Sequence, residues 1–100
     1  MGNLISFMKE VADGLRESGN FGTAHIYRSS LSAILAFHGS DKLPFRKVSQ
    51  EFLKSFESYL RGRNCSWNTV STYMRTLRAV YNRAVDRHLA PYVPHHFRYV

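Results

Sequence analysis

A chain of 100 residues and 11.6 kDa, 44% hydrophobic and 14% aromatic, is one domain's worth of protein with enough apolar mass to close a core, which excludes an intrinsically disordered chain. Fourteen Lys and Arg against seven Asp and Glu leave a net charge of +7, which favours a polyanionic partner. A single cysteine, Cys65, excludes an internal disulfide framework and a Cys-rich zinc site, and fits a reduced cytoplasmic setting.

The apolar spacing is helical from the first residues onward. Leu4, Met8, Val11, Ala12 and Leu15 share one stripe, predicting a first helix over residues 3–18 that stops at Gly19, a residue tolerant of the left-handed closing conformation. Asn20 or Thr23 is placed to cap a second helix with Ala24, Tyr27, Leu31, Ile34 and Leu35 facing inward, ending near His38 before Gly39. Residues 39–44 are turn chemistry, and Pro44 bars a helix from continuing through them. Ser49 is the expected N-cap of a third helix, with Glu51 in its first turn, where the helix dipole favours an anion. Phe52, Phe56 and Leu60 form its expected buried stripe, flanked by Leu53 and Tyr59, and Gly62 and Asn64 break it. Ser66 caps a fourth helix over residues 67–88, with Cys65 and Val70 at the two positions of a hydrophobic staple. Val70, Tyr73, Met74, Leu77, Tyr81, Ala84 and Val85 make its inward face. Beyond Leu89, Pro91 and Pro94 end the periodicity, so residues 90–96 read as extended. The predicted architecture is all-α, a compact four-helix bundle over residues 1–89, with residues 90–100 the start of a linker.

The charge is concentrated at one end. Residues 1–60 carry seven basic and six acidic side chains, a net of +1. Residues 61–100 carry Arg61, Arg63, Arg75, Arg78, Arg83, Arg87 and Arg98 against Asp86 alone, a net of +6 with no lysine. Guanidinium is a planar fork suited to phosphates and guanine edges, which a lysine ammonium does not reproduce.

Projected at 100° per residue, the outward side of the fourth helix carries Asn68, Thr72, Arg75, Ala79 and Asn82, flanked by Arg78 and Arg83. A solvated helix face ordinarily mixes Glu with Lys; this one offers amides, a hydroxyl, arginine and a small side chain. Asn suits adenine, Arg suits guanine, and Ala or a Thr methyl suits the thymine methyl. Ser66 and Asn68 stand where first-turn N–H groups could hold a phosphate. The second helix presents His25, Arg28, Ser29, Ser32 and Ala36, and no carboxylate occurs between Gly19 and Ser40. Small side chains there would let a helix lie deep in the roughly 12 Å major groove. The other use of such faces is tight packing against a further domain.

Catalytic signals are sparse. The acids Glu10, Asp13, Glu17, Asp41, Glu51, Glu57 and Asp86 include no pair spaced for acid–base work, and no Gly-rich phosphate loop occurs. His88, His95 and His96 read as exposed residues on a Pro-rich segment instead of a metal site, so neither a metal nor a cofactor is expected. No apolar run approaches the roughly 18–20 residues that cross a bilayer, and no membrane partner is expected. Met1-Gly2 with Ser6 fits a myristoylation pattern, but Leu4, Ile5 and Met8 read better as helix core.

Two stretches, residues 52–60 (FLKSFESYL) and 66–85 (SWNTVSTYMRTLRAVYNRAV), with residues 22–28 (GTAHIYR) and 45–49 (FRKVS) before them, together resemble the core-binding domain of tyrosine recombinases of the phage and conjugative-transposon integrase type. The likeness covers residues 3–90. It implies a SAM-like helical bundle that lies on one face of double-stranded DNA while a second, catalytic domain grips the other. It also implies a parent that cuts and rejoins DNA through a covalent 3′-phosphotyrosine, without metal or external energy, as a tetramer on DNA. No stretch here matches the catalytic set, and Tyr92 and Tyr99 are not taken as its nucleophile. On this reading the chain itself is no enzyme. It binds, residues 91–94 link it to the next domain, and alone it is a monomer in the bacterial cytoplasm, at the nucleoid when bound. The alternatives are a freestanding helical protein-interaction domain, which leaves the arginine face without a purpose, and a helix-turn-helix regulator. The latter needs a turn of about three or four residues, shorter than the segments 39–48 and 61–65.

Overall fold

A computed structural model of the protein describes residues 3–92. It contains four α-helices, α1 (Leu4–Glu17), α2 (Phe21–His38), α3 (Gln50–Gly62) and α4 (Trp67–Asp86), with a single 3₁₀ turn at Phe45–Lys47 between α2 and α3. The all-α, four-helix expectation holds: among the described residues the only β-type pairing is one bridge between Asn3 and Pro44. The first and fourth helices are each slightly shorter than their sequence-based ranges.

Each helix ends for a local chemical reason. The side chains of Asn3, Ser49 and Ser66 accept from the backbone N–H of Ile5, Phe52 and Thr69, at 2.9, 3.1 and 3.1 Å. These bonds satisfy N–H groups that have no partner within the helix. Asn20 precedes α2 but makes no side-chain cap bond. At the other ends, α1, α3 and α4 close through residues with positive φ, Gly19 (87°), Asn64 (61°) and His88 (62°). In each case the next N–H reaches back to a carbonyl one turn inside the helix: Asn20 to Leu15 (2.8 Å), Cys65 to Leu60 (3.3 Å) and Leu89 to Ala84 (2.8 Å). This is the Schellman arrangement.

The helices enclose one apolar cluster. Leu4 and Met8 of α1, Ile34 of α2, Leu53, Phe56 and Leu60 of α3, and Val70, Leu77, Val80 and Ala84 of α4 are all essentially sealed from solvent. Cys65 packs on this cluster, as its staple position requires. Phe37 of α2 sits among Phe52, Phe56 and Tyr59 of α3, with ring centroids 5.1–5.5 Å apart, the spacing of favourable aromatic pairs. The inward face of α3 is rotated slightly from expectation: Leu53 takes the buried position and Phe52 is half-buried against Phe37 and His38.

The larger difference lies between α2 and α3. Leu43, Phe45 and Val48, in a stretch read only as turn chemistry or left without a core role, are 0, 3 and 2% exposed and belong to the core. The Leu4 N–H donates to the Leu43 carbonyl at 2.8 Å. Asn3 accepts from the Leu43 N–H at 3.3 Å and donates to the Asp41 carbonyl at 2.9 Å. The loop thus closes one end of the bundle, and Phe45 meets Phe7 and Tyr81 edge-on at 6.1 Å. Two hydroxyl residues absent from the expected inward faces, Ser30 and Thr76, are also buried. Each donates to the carbonyl four residues earlier, Ile26 at 2.9 Å and Thr72 at 2.8 Å, so burial leaves no unpaired hydroxyl donor.

Beyond α4 the chain remains attached. The buried Tyr81 hydroxyl donates to the Pro91 carbonyl at 2.8 Å, and Ala90 packs on the core cluster. The expectations for Pro94, His95, His96 and Arg98, and for Met1 and Gly2, lie outside the described residues. No helix among the described residues is long and apolar enough to cross a membrane.

Candidate nucleic-acid interface

The inward stripe of α4 is fixed by Val70, Met74, Leu77, Val80, Tyr81 and Ala84, so its other side must face out. Asn68, Arg75, Arg78, Asn82 and Arg83 are exposed there, with Thr72 and Ala79 half-covered. On α2, burial of Ala24, Ser30, Leu31 and Ile34 turns His25, Arg28, Ser32 and Ala36 to solvent, with Ser29 half-covered.

The two faces meet. α2 and α4 are in direct contact, and between them lies a shallow cleft of about 200 Å³ lined by His25, Ile26 and Ser29 from α2 and Asn68, Thr69, Thr72 and Tyr73 from α4. Four of the residues singled out in the sequence, His25, Ser29, Asn68 and Thr72, therefore share one concavity that no carboxylate lines. Ile26, Thr69 and Tyr73 were not singled out. Tyr73 was assigned to the core, and an apolar residue beside His25 carries no binding signal of its own.

Three candidates are placed differently. Arg28 donates from Nη2 to Asp13 Oδ1 of α1 at 2.6 Å, so the second-helix face has a carboxylate neighbour that residues 20–39 do not contain. Ser66 is exposed, but its hydroxyl accepts from the Thr69 N–H and donates to Thr69 Oγ1 at 2.9 Å, so its hydrogen is already directed into the helix cap. Arg83 belongs to another part of the surface, a broad groove of about 730 Å³ between α1 and the end of α4. There it is grouped with Glu10, Asp13, Glu17 and Arg87, a mixture of signs unlike the cleft.

Arg75, Arg78 and Arg83 have no carboxylate within ion-pair distance among the described residues. Their charges are thus not neutralised by ion pairing within the bundle and are available to an anion. Among the described residues no group of three or more His, Cys, Asp or Glu side chains could hold a metal ion.

A family model described as the phage integrase SAM-like domain matches residues 3–98 of the chain. No curated protein and no solved structure matches it.

Proposed function

Since the chain belongs to the phage integrase SAM-like domain family, we propose that it is the DNA-clamping module of a site-specific tyrosine recombinase, holding duplex DNA across the outward faces of α2 and α4. One observation carries the reading: His25 and Ser29 of α2 share a cleft lined by no carboxylate with Asn68 and Thr72 of α4, continuous with a helix face bearing the exposed Arg75 and Arg78, which have no ion-pair partner among the described residues.

The division of labour follows from side-chain chemistry. Asn68, Arg75 and Asn82 have the donor and acceptor sets that discriminate base edges in the major groove. Arg78, on the flank of that face, suits the phosphates bordering the groove, and His25, Ser29, Ser32 and Thr72 suit phosphate and sugar oxygens; Arg83, at the edge of the groove against α1, would meet a phosphate from that side. Arg28 joins them once it exchanges Asp13 for a phosphate. Ser66 contributes as a cap that orders the N-terminus of α4, more than as a direct ligand.

Within a complete recombinase such a module would orient the duplex for a catalytic domain that cuts and rejoins one strand through a phosphotyrosine, with the tetramer assembling on DNA and this module alone monomeric. The experiment is an anisotropy titration of the chain with a labelled duplex over a range of salt. Binding whose log affinity falls with log salt at a slope near −0.9 per phosphate contacted is the expected result. Salt-independent binding, or none at low salt, would favour a protein-interaction domain.

A further inference from the structure

The end of α3 and the turn that joins it to α4 carry a second concentration of positive charge, Arg61 and Arg63, each guanidinium set over an aromatic ring. The Arg61 guanidinium lies over the Trp67 ring, 5.3 Å from its centroid. The Arg63 guanidinium lies over the Tyr59 ring at 5.4 Å and donates from Nη1 to the Tyr59 hydroxyl at 2.7 Å. Both arginines are exposed, and Trp67 is 66% exposed despite being the largest apolar side chain in the protein. Neither guanidinium has a carboxylate within ion-pair distance among the described residues.

The turn beneath them is fixed. Asn64 sits at φ 61°, its N–H donates to the Arg61 carbonyl at 3.1 Å, and the Cys65 N–H donates to the Leu60 carbonyl. Cys65 is pinned to the core on one side and the Ser66 cap begins α4 on the other. An arginine held within cation–π distance of an aromatic ring keeps N–H donors free for an anion, and it has already given up part of its rotamer freedom. Two such forks, two residues apart in the chain, are each preorganised to donate to an oxyanion, and charge-assisted bonds to phosphate are the strong kind.

We propose that the α3–α4 turn is a phosphate-backbone clamp, in which Arg61 and Arg63, steadied on Trp67 and Tyr59, grip the DNA strand beside the one met by the α2–α4 cleft. The site lies next to that cleft along the chain, since Trp67, the first residue of α4, is followed by Asn68, which lines the cleft. The inference rests on the DNA-binding reading, and it adds contacts that are independent of base sequence, with Trp67 as their spectroscopic reporter, since it is the single tryptophan of the chain.

The test compares the 100-residue chain with Arg61→Gln/Arg63→Gln and Arg61→Lys/Arg63→Lys variants, each titrated with a labelled duplex across salt. Loss of two phosphate contacts lowers the magnitude of the log–log salt slope by about 1.8 in the Gln pair, equally for different duplex sequences, while the Lys pair recovers most of it. In the unaltered chain, Trp67 emission changes on adding duplex and saturates together with the anisotropy. A Gln pair with the parent slope, or Trp67 emission that duplex leaves unmoved, overturns the clamp while leaving the α2–α4 reading in place. An unaltered chain that binds no duplex at low salt overturns both.

Discussion

Arg28 on α2 and Asp13 on α1 are joined by a 2.6 Å contact between Nη2 and Oδ1, with both side chains nearly half exposed. The pair places a carboxylate beside a face that is otherwise free of acids along its own helix. An ion pair at such exposure contributes only about 0.2–1 kcal/mol to stability. Asp13→Asn is therefore expected to cost the fold little and to free one guanidinium. Duplex binding should tighten, and the salt slope should steepen by up to about 0.9, one additional phosphate. Weaker binding by the variant, measured by anisotropy, would mean that Asp13 positions Arg28 instead of competing for it.

Arg75 occupies the middle of the outward α4 face without an ion-pair partner among the described residues. If it reads a base, Arg75→Ala costs about 1–3 kcal/mol of binding and relaxes preference at one base pair. The check is a set of titrations against duplexes varied one pair at a time. A uniform loss across all of them would reassign Arg75 to a phosphate.

Leu77, on the opposite side of the same helix, is 0% exposed. Leu77→Ala removes core atoms and leaves a cavity, so unfolding in urea should show a loss of about 2–5 kcal/mol. Because Arg75 and Leu77 lie roughly 200° apart on the wheel, the two substitutions separate binding from stability on one helix.

Burial raises the Tyr81 phenol above its ordinary value of 10.0. The folded state then keeps a proton that the unfolded chain has released. The associated stability is fully present below about pH 10 and is lost as pH rises towards the folded value. Tyr81→Phe removes this proton and also the hydroxyl that holds the Pro91 carbonyl. Urea melts at neutral and strongly alkaline pH should show a smaller alkaline loss for the variant than for the parent. Equal losses would point to another group.

Helix number, helix ends and most of the core were legible in the sequence because they are local properties. Ser49 and Ser66 sit at caps, Gly19, Gly39 and Asn64 take positive or turn conformations, and a 3.6-residue period fixes which side of α4 is apolar. The same period placed Asn68, Thr72, Arg75 and Asn82 on one outward face. Tertiary structure decided what periodicity does not encode. Leu43, Phe45 and Val48 have no helical spacing, so only the hydrogen bonds from Asn3 and Leu4 to Asp41 and Leu43 reveal that this loop closes the core. The meeting of the α2 and α4 faces, the reach of Asp13 to Arg28, and the separation of Arg83 into a groove of mixed charge all depend on how helices distant in sequence lie against one another. A helix determines which of its own residues point together, and packing of the whole chain determines which helices those residues meet.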